Sequence, residues 1–97
     1  MTIPAPKLVD THAHMCDPSY DEDRNAVLGR ARKAGVKAII AVGEDLADAR
    51  KNVALSQQYP ILKPAAGLYP THLDLEQARQ MADFLRHNKS HIVAIGE

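Results

Sequence analysis

The chain has 97 residues, of which 45% are apolar, and its twelve Lys and Arg residues balance its twelve Asp and Glu residues. This length suffices for one small globular unit and excludes a large single-domain enzyme. The balanced charge excludes a bulk electrostatic attraction to nucleic acid or to a membrane, so a polyanion would have to be held by a metal ion or by a few local cations.

The termini and the cysteine content limit the compartment. Apolar runs are too short to span a bilayer, and residues 1–7 lack the basic-then-apolar order of a signal peptide. The single cysteine, Cys16, excludes an internal disulfide framework and fits a reducing compartment. These features predict a soluble cytoplasmic chain.

Apolar runs and turn signals predict the first elements. An apolar run at 7–10 predicts a strand, and an Asp-Pro pair within 15–20 predicts a loop. Residues 21–36 contain a predicted helix, because acids at its start and bases at its end, followed by glycine, match the helix macrodipole and C-cap. Residues 36–43 are almost wholly apolar and predict a buried strand.

The second part of the chain repeats this order. A second helix is predicted between an N-cap at Asp45 and a stop at Pro60. Residues 61–68 predict a weaker strand, because the proline within them cannot donate to a β-ladder. The clearest helical period of the chain follows and closes near Asn88, and residues 91–96 predict a fourth strand.

The resulting order is βαβαβαβ, with strand starts 29, 25 and 29 residues apart at Leu8, Lys37, Leu62 and His91. Repeated right-handed βαβ crossovers predict a parallel sheet. Two architectures remain open at this point. The sheet is either doubly wound, with helices on both faces, or the first half of a (β/α)8 barrel, which takes about 250 residues in full.

His12 and His14 follow the first apolar run and are candidate metal ligands. Side chains two residues apart on an extended chain point the same way, so both imidazoles can meet one cation. In parallel α/β sheets, ligands bind beyond the carboxyl ends of the strands, where this pair lies. The alternative is two solvent-facing loop histidines.

Glu97 has the equivalent place after the fourth strand. It shares a strand face with Val93 and Ile95, although the apolar pattern does not decide which face is inward. A carboxylate here could approach a cation held by the histidine pair. Judged from the residues alone, however, a charged end in solvent is the simpler interpretation.

Three stretches resemble the TatD-type metal-dependent deoxyribonucleases. "LVDTHAHM" resembles the family's opening strand, which runs apolar-Asp-Thr-His-x-His. "AAGLYPTH" resembles the end of its third strand, and "IVAIGE" resembles the Ala-Ile-Gly-Glu that leads into Ile-Gly-Leu-Asp. All three fall at strand ends in the family's order, and the resemblance extends over essentially the whole chain.

The resemblance implies a TIM-type barrel that hydrolyses DNA phosphodiesters with one or two divalent cations, usually Mg²⁺ or Zn²⁺. By match of motif, His12 and His14 would be metal ligands of the first strand, and Glu97 the carboxylate that contacts or bridges the metals. We expect Asp10, two residues before His12, to support the site, because a ligand histidine usually donates its second nitrogen to a carboxylate or carbonyl.

Two departures from the family pattern concern the substrate and the remaining ligands. Tyr69 stands where the family usually has His before Pro, and Thr71 stands where another His is common. Tyr69 and His72 are therefore only candidate substrate-binding residues. The family's other ligands, two histidines and an aspartate, come from later strands, so no catalytic residue is assigned within these 97 residues.

Residues 1–97 are thus predicted to form part of one TatD-like hydrolase domain, with four strands and three helices of a (β/α)8 barrel. We expect DNA as the substrate of the parent enzyme, no membrane partner and no activity of the fragment alone. Alternatives are a non-catalytic half-barrel that self-associates through its uncovered sheet face and edges, a doubly wound binding module, and a hydrolase of another phosphoester or of an amide.

Overall fold

A computed structural model of the chain describes residues 6–71 and 74–97. The strands are β1 (Leu8–Ala13), β2 (Val36–Ala41), β3 (Leu62–Ala66) and β4 (Ala94–Ile95). The helices are α1 (Arg24–Lys33), α2 (Leu46–Gln58) and α3 (Leu75–Asn88), and a short 3-10 turn (Pro18–Tyr20) precedes α1. The predicted βαβαβαβ order is confirmed.

The four strands form one parallel sheet in the order β1-β2-β3-β4. Each strand is added beside the previous one, without the reversal of order that defines a doubly wound sheet. Right-handed crossovers that always step in one direction place every helix on the same face. The chain is therefore a half-barrel, and the doubly wound alternative is wrong.

Two apolar clusters join the helices to the sheet. The first is centred on Leu28 of α1 and Leu62 of β3, and also includes Ile39 and Ala41 of β2. The second joins Ala49 of α2 to Met81 of α3 and Ala66 of β3, with Leu46, Leu68, Phe84, Leu85 and Ile92 packed against it. Leu55 of α2 packs against the first cluster and Ala49 of α2 belongs to the second, so the three helices form one layer.

The boundaries of α2 follow the sequence closely. Asp45 caps the helix as predicted, since its carboxylate accepts a hydrogen bond from the Asp48 N–H at 2.9 Å. The helix ends before Pro60, also as predicted. The first helix differs: it begins only at Arg24, so the acids at 21–23 precede its first turn instead of occupying it.

The fourth strand is much shorter than predicted, two residues against the six at 91–96. Ile95 is 76% exposed, and Val93 is also exposed. By contrast, the proline in β3 is tolerated: Pro64 pairs in register with Ala41, and its carbonyl accepts from the Val93 N–H at 2.8 Å.

In the described part of the chain, no helix is long and apolar enough to cross a membrane.

Candidate metal centre

The two histidines lie at the carboxyl end of β1. His12 is the second-last residue of the strand and is exposed, whereas His14 follows the strand and is half-buried. The ring centroids are 5.3 Å apart, with an angle of 65° between the ring planes. The sequence argument that both imidazoles occupy the same side of the chain agrees with this separation.

This spacing is compatible with a shared cation. Two imidazoles that bind one tetrahedral ion through nitrogen at about 2.1 Å have centroids roughly 5 Å apart. Neutral imidazole also suits Zn²⁺, Mn²⁺ and similar ions, and carboxylates with water suit Mg²⁺. The residues present therefore fit the divalent metal that the motif resemblance implies.

Asp10 supports this strand end through the backbone. Its Oδ1 accepts a hydrogen bond from the His12 N–H at 3.0 Å, instead of the imidazole contact that the sequence suggested. The pairing of β1 with β2 shifts register between Asp10 and Ala13, so the strict two-residue alternation is interrupted here. The Asp10 carboxylate therefore restrains the backbone at His12.

Glu97 lies two residues beyond β4, at the same rim as the histidines, and is half-buried. Its strand, however, is at the other edge of the sheet, three strand spacings or about 14 Å from β1 along an open sheet. Among residues 6–71 and 74–97, no three His, Cys, Asp or Glu side chains are close enough together to hold a metal ion. The structure brings the two histidines together but does not gather Glu97 with them.

A glycine contact sets the position of the chain before Glu97. A Cβ placed on Gly67 would lie 2.7 Å from the carbonyl carbon and oxygen of Gly96. Only glycine at position 67 permits this close approach of the β3 and β4 ends. The Gly96 N–H also donates to the Ala66 carbonyl at 2.9 Å.

The ends of β2 and β3 are joined at the same rim. The Tyr69 N–H donates to the Glu44 carbonyl at 2.8 Å, and the Glu44 N–H donates to the Asp48 carboxylate at 2.9 Å. Tyr69 is half-buried at this rim, and its proposed contact with substrate stays a prediction. His72, the other candidate substrate residue, lies outside the described residues.

Cys16 is next to His14 in sequence, but it has the properties of a core residue. Its side chain is buried, and its Sγ is 3.9 Å from the Val42 carbonyl. Burial, with a further contribution from the negative charge of Asp48, raises the pKa of the Cys16 thiol to about 11. A thiol that stays protonated at neutral pH is a poor metal ligand and a poor nucleophile.

The carboxylates of the loop after His14 are held in the charged form. Hydrogen bonds from Ser19 lower the pKa of Asp17. Hydrogen bonds from Lys51 and, to a smaller extent, from Arg24 lower the pKa of Asp21.

The sequence analysis did not identify Arg24 as a functional residue. An arginine in the first turn of a helix opposes the macrodipole, and this unfavourable placement is a signal of a specific contact.

Comparison with known proteins places the chain in a family context. The TatD related DNase family model matches residues 9–97. The chain is 38% identical over 98 residues to a putative deoxyribonuclease tatdn3 of Danio rerio, covering 92% of this chain and 37% of the relative. It is 28% identical over 91 residues to the 3'-5' ssDNA/RNA exonuclease TatD of Salmonella typhimurium, covering 93% of this chain and 35% of the relative.

A solved structure agrees with the fold. The crystal structure of YjjV, a TatD homologue from Escherichia coli K12, matches with a TM-score of 0.83 at 32% identity, over 92% of this chain and 36% of that one. The chain thus corresponds to somewhat more than a third of the length of these relatives. The sheet described above is the first half of their TIM-type barrel.

Proposed function

The chain belongs to the TatD related DNase family, and on this basis we propose that residues 1–97 are the N-terminal part of a divalent-metal-dependent deoxyribonuclease. The observation that carries the proposal is the pair of imidazoles 5.3 Å apart at the carboxyl end of β1. Similar chains are named deoxyribonuclease, ssDNA/RNA exonuclease and metal-dependent hydrolase, which supports a metal-dependent reaction on nucleic acid.

His12 and His14 are the proposed metal ligands of β1, and Glu97 is the proposed carboxylate ligand from the end of β4. Asp10 has a supporting role, since its hydrogen bond to the His12 N–H restrains the backbone that carries the imidazole. One or two Mg²⁺ or Zn²⁺ ions fit this donor set. Ligands from later strands would complete it.

A divalent ion held by these residues would polarise a phosphoryl oxygen and would lower the pKa of its bound water towards neutrality. The chain's own contribution is to present two imidazoles side by side at the rim. A protein of zero formal net charge then acts on a polyanion through local cationic charge, without a basic surface. Tyr69 and His72 are proposed to contact the substrate backbone.

The substrate class is tested by cleavage of a labelled single-stranded DNA oligonucleotide by the complete gene product, with Mg²⁺, Mn²⁺ or Zn²⁺ and with chelator. We expect metal-dependent cleavage that the His12→Ala/His14→Ala double variant loses. His87→Ala is a matched control, because His87 is an exposed histidine of α3 far along the chain from β1. The 97-residue chain alone should not cleave DNA.

Undiminished cleavage by the double histidine variant would contradict the assignment of the site. Hydrolysis of another phosphoester or of an amide, without cleavage of DNA, would contradict the proposed substrate but not the proposed metal chemistry.

A cytoplasmic location is also proposed, since the buried, unpaired Cys16 agrees with a reducing compartment.

Self-association is proposed for the 97-residue chain as a second property. The two edge strands expose apolar side chains, namely Leu8 and Val9 of β1 and, at β4, Val93 and Ile95. An exposed apolar strand edge favours pairing with another chain. A mass measurement in solution should detect dimers or larger species, and a monomer at high concentration would contradict this proposal.

A further inference from the structure

Arg24 is a buried cation at an unfavourable place. It is 7% exposed and begins α1, where the partial positive charge of the helix N-terminus opposes a cationic side chain. Burial of a charge is costly unless the charge is paired and hydrogen-bonded. The contacts of its guanidinium group must therefore compensate for both costs.

Those contacts go to the loop that follows His14. Arg24 Nε donates to the Met15 carbonyl at 2.7 Å, and Nη2 donates to the Asp17 carbonyl at 3.2 Å. The Asp17 N–H in turn donates to the His14 carbonyl at 3.1 Å. The guanidinium group thus holds the first and third carbonyls after His14, and the backbone between them closes a turn onto His14 itself.

The charge of Arg24 is balanced by an acid shared with α2. Asp21 Oδ1 accepts from Arg24 Nη2 at 2.8 Å and from Lys51 Nζ at 2.9 Å. The loop after β1, the start of α1 and the middle of α2 are therefore joined through one carboxylate. A partly buried network of this kind restrains its members more than an isolated surface ion pair does.

The side chains of the same loop are fixed in the core. Met15 and Cys16 are both buried, and Cys16 Sγ contacts the Val42 carbonyl after β2. The loop is thus held by apolar packing through its side chains and by Arg24 through its backbone. His14 is the residue at which this restrained loop meets the strand.

We propose that Arg24 is a positioning residue for the candidate metal centre, which fixes the backbone at Met15–Asp17 so that the His14 imidazole is held beside His12. This inference rests on the proposed function. Lysine would not replace arginine here, because an ammonium group lacks the planar fork that reaches two carbonyls and a carboxylate together. Residues that orient a metal ligand typically change metal affinity by 10–100-fold when they are altered.

The test measures the dissociation constant for Zn²⁺ by calorimetric titration of the complete gene product and of four variants of it. We expect Arg24→Lys to weaken Zn²⁺ binding by about 10-fold or more. Arg30→Lys, a conservative change at an exposed arginine of the same helix, should bind as the unaltered chain does. Met81→Ala lowers the stability of the chain through the second apolar cluster, which contains no residue of this loop, so it should leave the Zn²⁺ affinity unchanged in the folded fraction.

The fourth variant, His12→Ala/His14→Ala, separates the two proposals. If it binds Zn²⁺ like the unaltered complete protein, or if the unaltered complete protein does not bind, the proposed metal site is wrong. If it loses binding while Arg24→Lys binds normally, only the role of Arg24 is wrong. Should Arg24→Lys fail to fold, Asp21→Asn removes the counterion of Arg24 instead, and unchanged Zn²⁺ affinity in that variant would overturn the positioning role.

Discussion

The two edge strands of the sheet carry the two halves of the proposed metal site, and they are held very differently. The carboxyl end of β1 is surrounded by a buried arginine, a shared carboxylate and core side chains from the loop that follows it. The carboxyl end of β4 follows a strand of two residues and depends on a close contact between Gly67 and Gly96. The position of a proposed metal ligand is therefore fixed by the elements packed around the end of its strand, more than by the strand itself.

The largest expected difference between the two regions is in core packing. Leu28 is fully buried in the cluster beneath β1 and β2, whereas Ile95 of β4 is 76% exposed. Leu28→Ala should lower the free energy of unfolding by about 3 kcal/mol because it leaves a cavity, and Ile95→Ala should change it by less than about 0.5 kcal/mol. Urea denaturation measures both, and equal losses would contradict the contrast.

The reactivity of Cys16 tests how tightly the loop after β1 is packed. The pKa of Cys16 is raised from 9.0 to about 11, so at pH 8 the folded chain has about 100-fold less thiolate than the unfolded chain. A disulfide reagent should therefore modify the native thiol at least that much more slowly than the denatured thiol. Because the raised pKa favours the thiol, its stabilisation is present below pH 9 and is lost as the pH rises towards 11. Rapid native modification at pH 8 would show that the loop is open.

Two glycine substitutions are expected to have opposite signs. Gly67→Ala forces a methyl group against the Gly96 carbonyl, so we expect it to lower the free energy of unfolding by about 1–3 kcal/mol and to loosen β4. Gly29→Ala adds a methyl group in open space within α1 and should stabilise the chain by about 0.5–1 kcal/mol. Thermal denaturation measures both variants, and a stabilising Gly67→Ala would contradict the close approach of β3 and β4.

The smallest expected effect is the loss of stability at acidic pH when Asp21, which pairs with Arg24 and Lys51, is protonated. Hydrogen bonds from Lys51 and Arg24 lower the pKa of Asp21, so this carboxylate stabilises the fold above its unfolded pKa of about 3.8. The stabilisation is lost as the pH falls below that value through the lower folded pKa. Asp21→Asn should therefore show a shallower loss of stability between pH 5 and pH 3 than the unaltered chain. An identical slope would contradict the role of Asp21.

Elements defined by local pattern could be predicted from the sequence. The apolar run at 36–43 yields β2, and the cap at Asp45 with the stop at Pro60 delimits α2, because both signals act over a few residues. Even spacing of the strands also indicated a parallel sheet, although the choice between half-barrel and doubly wound sheet needed the strand order in space.

Features that depend on distant neighbours could not be predicted. The apolar pattern at 91–96 suggested a full strand, but β4 pairs with β3 through only two residue pairs, and pairing is a property of both strands. The contacts of Arg24 with Met15 and of Asp21 with Lys51 join positions 9 and 30 residues apart, beyond the reach of periodicity or capping rules. The motif resemblance pointed to the histidine pair, and their spacing in the structure is compatible with the proposed shared ion.

The central proposal is that His12 and His14 bind a divalent metal ion, and that Glu97 contributes to this site in the complete protein. Its most direct test is a calorimetric Zn²⁺ titration of the complete gene product beside its His12→Ala/His14→Ala and Glu97→Gln variants, with His87→Ala as the control. We expect the double histidine variant to lose binding, Glu97→Gln to bind more weakly and His87→Ala to bind normally. Equal affinity in all four proteins would contradict the claim.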